Sequence, residues 1–198
     1  MGQYYIILNL DKKQYLRPWN FGDGAKLLEF GTSGNGVMLG LAILLSDGND
    51  RGGGDLRVPE NAPEELNSLI GSWAGDRIVV SGDYADDGKF LSRQLLRDWR
   101  KNMPPDTKKW IEERAKRGGS NTPNLYTVAT DLFENISEKV IQALCMDQWI
   151  RKEFVNMFAE MGWREAPKFL GTSIKERIKE IKQEKEQESC TPENNLLS

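Results

Sequence analysis

Tyr4-Tyr5-Ile6-Ile7-Leu8-Asn9-Leu10 is the stretch on which the fold turns. It is aromatic and β-branched, so it reads as a strand. The apolar residues 4 to 8 are continuous rather than alternating, as a strand covered on both faces requires, and the strand is expected at the centre of a sheet. Asp11-Lys12-Lys13 makes a polar break, and Tyr15-Leu16, ended by Pro18, supplies the return arm of a β-hairpin. Further along, Arg77 to Ser81 reads as a short strand and Leu125 to Ala129 as a second hairpin partner.

Helical patterns surround these strands. Val37 to Leu45 is nearly all apolar with Gly40 and Ala42 inside it, which suits a tightly packed core helix; a buried strand of the same length is the competing reading. The Phe21-Gly22-Asp23-Gly24 turn places Asp23 to cap a short helix over residues 25 to 30. Asn61, Pro63, Glu64 and Glu65 carry helix-start chemistry, and Leu66, Leu69, Ile70 and Trp73 then recur at helical spacing up to Gly75. From Ser137 to Met161 no Gly or Pro interrupts the apolar pattern, Asp147 is a natural point of division, and Gly162 closes it. Ser173 and Glu176 have capping-box spacing ahead of Ile174, Ile178 and Ile181 on one stripe.

Together these give an α+β fold, a small, mostly antiparallel sheet from residues 3 to 17 and 77 to 81, covered by helices near 37 to 46, 63 to 74 and 137 to 161, with a long helical C-terminal half. Residues 1 to 171 form a single α+β domain, 172 to 183 an amphipathic C-terminal helix, and 184 to 198 have the composition of a disordered tail.

Composition bounds the function. No apolar run approaches the ~18 residues of a membrane span. Residues 1 to 20 lack the basic start, apolar stretch and cleavage site of a signal peptide, so a cytoplasmic protein is expected. The chain has no His, which removes Ser-His and Cys-His nucleophile pairs and histidine-ligated zinc. Cys145 and Cys190 make neither a disulfide framework nor a zinc spacing.

Charge is unevenly placed: residues 1 to 88 carry a net −6, residues 89 to 117 a net +6 and residues 118 to 198 a net −3. If 89 to 103 is helical, Lys89, Arg93, Arg97 and Arg100 or Lys101 form one stripe, opposite Leu91, Leu95 and Trp99. The functional reading is an anion-binding face of Arg93, Arg97, Arg100 and Lys101 for an acidic protein or nucleic acid. The bland one is a solvated face that offsets the acidic first half.

Ten of the 19 glycines fall between Gly22 and Gly54, and such runs of backbone N–H groups can form a nest for an anion. Gly31-Thr32-Ser33-Gly34-Asn35-Gly36 precedes an apolar helix, and Arg51-Gly52-Gly53-Gly54-Asp55 adds charge, so Gly34, Gly36, Arg51 and Asp55 are the phosphate-binding candidates. Neither stretch has the order of a nucleotide-binding loop, and a flexible connection is the alternative. Asp87-Gly88-Lys89 echoes the D-x-K of metal-dependent nucleases, but Lys89 follows a loop rather than lying in a strand, so no metal is assigned; Asp76 and Asp83 read as turn and cap residues.

Trp73-Ala74-Gly75-Asp76-Arg77-Ile78 through Gly82-Asp83-Tyr84, the opening Met1 to Tyr5, the Phe21 to Gly24 turn and Arg51 to Leu56 resemble blocks of bacterial and phage-type hypothetical proteins. The resemblance covers the first half of the chain and implies a shared fold without an activity. The expected function is therefore a non-catalytic binding or accessory protein without a cofactor. It would act on another protein, or on nucleic acid, through the basic segment 89 to 117 or the Gly-rich loops, and away from membranes. The alternative is a phosphate- or nucleotide-handling enzyme built on the Gly-rich loops, with Mg²⁺ at Asp83.

Overall fold

A computed structural model describes residues 2–34, 36–49, 52–85, 88–117, 123–162 and 166–189. Strand β1 (Tyr5–Asn9) pairs antiparallel with β2 (Gln14–Leu16), Ile7 opposite Leu16. On its other edge it pairs antiparallel with β3 (Ile78–Gly82), Ile7 opposite Val80. A two-residue strand, β4 (Glu134–Asn135), adds parallel to β2, which gives the order β3-β1-β2-β4 and makes the sheet mixed. The hairpin turn is organised by buried Asn9. Its Oδ1 accepts from the N–H groups of Asp11 (3.0 Å) and Lys12 (2.9 Å), and its Nδ2 donates to Asp76 Oδ2 (2.8 Å).

The continuous apolar run has a direct structural reason. Alternate side chains of β1 point to opposite faces, and each face carries its own core. Ile7 and Leu16 join the larger one, with Phe21 and with residues of α2 (Val37–Leu45), α7 (Ser137–Leu144), α8 (Gln148–Glu160) and α9 (Gly171–Ser189). Ile6, Leu8 and Tyr15 join the smaller one, built with Leu95 and Trp99 of α4 (Arg93–Asn102) and Leu125, Val128 and Ala129 of α6 (Leu125–Leu132). Between them in sequence lies α5 (Pro105–Lys116), which contributes half-buried Ile111 to the smaller core. Helices therefore cover both faces of the sheet, an α+β arrangement. Two short helices, α1 (Leu27–Gly31) and α3 (Glu64–Asn67), complete the described helices.

Several elements depart from the sequence reading. The helix expected over 63 to 74 stops after one turn, because the Gly71 N–H donates to Ile43 O (2.8 Å) and Trp73 N–H to Leu44 O (2.7 Å). That seam ties the chain to the end of α2 and needs φ +71° at residue 71, which glycine adopts without strain. Leu125 to Ala129 is not a strand but the start of α6. Asn124 caps it by accepting from Thr127 N–H (3.0 Å), and Leu125, Val128 and Ala129 bury at helical spacing. The long C-terminal pattern divides at Asp147, whose Oδ1 accepts from Trp149 N–H (2.8 Å) and Ile150 N–H (3.3 Å) to start α8.

Ser173 does not cap α9, since a 3₁₀ turn over Lys168–Leu170 leads straight into a helix that begins at Gly171. Nor does α9 end with its apolar stripe. It runs to Ser189, so residues 184–189 are helical rather than tail; Arg177 pairs with Glu180 (3.0 Å) and Glu184 (2.8 Å) along its exposed side. Residues 190–198 lie outside the described ones. Ile174 is fully buried and Ile178 and Ile181 pack against the larger core, so α9 is held by residues before 183. Truncation after Gln183 is accordingly expected to leave the thermal midpoint within about 2 °C of wild type, because Glu184, Lys185 and Glu186 are exposed and the exposed Arg177–Glu184 pair is worth little. A fall of several degrees would show apolar docking beyond residue 183.

Candidate functional site

Helix α4 is built as an amphipathic unit. Ser92 caps it, its Oγ accepting from Leu95 N–H (3.1 Å). Leu95 and Trp99 bury on one side, and Trp99 Nε1 donates to Asp131 Oδ2 on α6 (2.7 Å). Arg93, Arg97, Arg100 and Lys101 are all exposed, as the helical spacing predicts. Lys89 belongs to the stretch before the helix, with its ammonium over the Phe90 ring at 5.3 Å. Lys108, Lys109 and Lys116 of α5 and the following Arg117 are exposed as well.

Elsewhere some cations are paired and others, such as Lys13, Arg57 and Lys152, make no ion pair among the described residues. Lys12, Lys26, Arg77, Lys139 and Arg177 each hold a carboxylate partner. Among the described side chains, Lys89, Arg93, Arg97, Arg100, Lys101, Lys108, Lys109, Lys116 and Arg117 make no ion pair; Arg97 donates instead to Gln94 Oε1 (2.8 Å). A like-charged face without internal partners keeps its field available to an outside anion.

The phosphate candidates come out differently. Gly34 is exposed and Gly36 buried at the start of α2, where the Val37 N–H donates to Asp23 Oδ2 (2.6 Å). The helix N-terminus expected to attract a phosphate is therefore filled by an internal carboxylate, and a Cβ at Gly36 would overlap it. Asp23 does cap a helix, but the following α2 rather than the short α1. Asp55 turns inward on its own loop, with Oδ2 accepting from Gly52 N–H (3.0 Å). It lines a largely apolar cavity of about 740 Å³ with Leu39, Ile43 and Trp149, to which neither Gly34 nor Gly36 contributes. Arg51 and Asp87 lie outside the described residues.

Asp76 and Asp83 are structural, as read from the sequence. Asp76 holds Asn9 and Lys12, while Asp83 Oδ1 accepts from Tyr4 N–H (3.0 Å) at the end of the β1–β3 ladder. Among the described residues no three ligating side chains converge as a metal site. Cys145 is buried, which pushes its thiol up to about 12 and leaves it without thiolate character.

Burial raises the Asp23 carboxyl above its ordinary value, against the lowering effect of hydrogen bonds from Ser33 and the Val37 N–H. A carboxyl raised on folding holds its proton more tightly in the folded state, so its contribution to stability is greatest at low pH and is lost as pH rises through the folded value. Asp23→Asn keeps an acceptor for Val37 and does not ionise. The stability of wild type relative to Asp23→Asn is therefore expected to fall as pH rises above the ordinary aspartate value of about 4 in urea titrations. A difference that grows in favour of wild type would mean that the helix N–H outweighs burial.

Comparison of the chain with protein-family models, with curated proteins and with solved structures finds no match.

Proposed function

We propose that this is a non-catalytic binding protein that engages an acidic macromolecule, in the first instance another protein, through the exposed cations of α4 and α5. The observation that carries the reading is the concentration of exposed charge: residues 89–117 carry a net +6, and Arg93, Arg97, Arg100 and Lys101 of α4 and Lys108 and Lys109 of α5 are all exposed. The acidic balance outside this segment favours a protein over a polyphosphate, since net −6 and net −3 flanks repel an extended nucleic acid. No helix among the described residues is long and apolar enough to cross a membrane, and a cytoplasmic location is part of the proposal.

The phosphate-handling alternative loses its best anchor at Asp23. A thermal-shift screen separates the two readings, because a ligand at 100 times its dissociation constant adds about 2.7 kcal/mol to stability. Poly-glutamate is expected to raise the midpoint at low salt, while nucleotides with or without Mg²⁺ leave it unchanged. A clear shift with nucleotide and Mg²⁺ alone would replace the binding reading with the enzymatic one.

A further inference from the structure

The basic face of α4 borders an apolar pit. The turn between β1 and β2, the start of α4 and the end of α6 enclose about 150 Å³. A cavity of about that size holds a single benzene ring. Leu10 is half-buried on its wall, Leu95 and Phe133 are buried, and Phe90 is 47% exposed, which opens the pit to water. Two of these four side chains are rings, and an aromatic occupant gains from edge or offset contact with them beyond the area it buries.

Cations stand around the pit. Lys89 Nζ lies over the Phe90 ring at 5.3 Å, and the exposed Lys13 is part of the lining. Arg97 Nη2 donates to Gln94 Oε1 (2.8 Å), and Gln94 is itself a lining residue, so the pit and the basic face are continuous. Arg77 also lines the pit but is held by Asp11. Asp98 accepts from Gln94 Nε2 (2.8 Å) on the same wall, so acidic groups of a ligand belong beside Lys13, Lys89 and Arg97 rather than next to Asp98. The volume falls short of the roughly 300 Å³ at which small-molecule sites begin, which suits one side chain of a longer ligand better than a free molecule. Aromatic side chains seated in such pockets and ringed by polar contacts are the usual anchors of protein interfaces.

We propose that the acidic partner of the basic face is a peptide segment in which one aromatic side chain stands among Asp or Glu residues. Its ring sits between Leu10, Phe90, Leu95 and Phe133, and its carboxylates pair with Lys13, Lys89 and Arg97. This inference rests on the reading of the basic face as a site for an acidic protein, and adds what that partner carries besides charge.

The test uses the full chain at low salt and two labelled glutamate peptides of equal length and charge, one with a single central Phe and the other with Gly in its place. The Phe peptide is expected to bind about fivefold or more tightly in fluorescence anisotropy, because burying the ring adds to the charge contacts that both share. In Phe90→Ala, at an exposed position where an unchanged thermal midpoint checks the fold, the ratio of the two affinities is expected to fall below about twofold. Without any variant, the methyl resonances of Leu10 and Leu95 are expected to shift with the Phe peptide and to stay in place with the Gly peptide. Equal affinity for the two peptides would overturn this inference and leave the basic-face reading intact, whereas failure to bind either would overturn both. An undiminished ratio in Phe90→Ala, or leucine methyls that stay fixed with the Phe peptide, would overturn it as well. So would methyls that move on raising the protein concentration alone, since a second copy would then be the occupant.

Discussion

Trp99→Ala is expected to lower stability by about 3–5 kcal/mol, the usual range for removing a buried tryptophan, and the thermal midpoint by roughly 10 °C. Trp99 is 2% exposed and is the largest side chain of the smaller core, where it seats α4 against α6 and the sheet. Its removal opens a cavity and also takes a donor from Asp131, which is left with Thr107 among its side-chain donors. Against a total stability of about 5–15 kcal/mol this is a large fraction. Trp99→Phe separates the two contributions. It keeps most of the apolar volume and loses only the N–H, so about 1–3 kcal/mol is expected. Urea denaturation gives both values, and amide exchange along α4 shows whether the helix loosens with them. A Trp99→Ala protein within ~1 kcal/mol of wild type would mean that α4 is not anchored through this side chain.

How far the sequence carried the fold depends on whether each signal was local. The β1 run was legible because a strand buried on both faces has a distinctive composition, and the two cores seen against Ile6 and Ile7 account for it. The amphipathic α4 was legible for the same reason, its period being contained in ten residues. The shortened α3 was not, because what ends it is a pair of hydrogen bonds from Gly71 and Trp73 to α2, nearly thirty residues upstream. Leu125 to Ala129 misled because a short apolar run fits either period; the deciding residue was Asn124, a cap just before it.

In the candidate sites, the exposure of Arg93, Arg97, Arg100 and Lys101 could be read from helical spacing. That they stand without ion pairs among the described residues required the positions of the surrounding carboxylates. Asp23 illustrates the opposite case. Glycines before an apolar helix suggested an anion site, and the anion turned out to come from the chain itself, thirteen to fourteen residues away across a turn.

The triple substitution Arg93→Gln, Arg97→Gln and Arg100→Gln is expected to weaken binding of an acidic partner strongly while leaving the fold alone. Glutamine keeps helix propensity close to that of arginine. Like charges three and four residues apart repel by a few tenths of a kcal/mol, so their removal offsets what Arg100 gains at the C-terminal end of α4. The midpoint should therefore stay within about 2 °C of wild type, in contrast to Trp99→Ala.

Fluorescence anisotropy of a labelled poly-glutamate peptide and a labelled duplex oligonucleotide, with wild type and the triple variant at ~50 mM salt, tests the central claim most directly, since exposed charges are least screened there. Wild type is expected to bind the peptide, and the variant to bind it about tenfold or more weakly, mainly through a slower association rate. Preferential binding of the oligonucleotide, with a salt slope near −0.9 per phosphate contact that flattens in the variant, would instead assign the same face to nucleic acid. Failure of wild type to bind either, or equal affinity in the variant, would contradict the account.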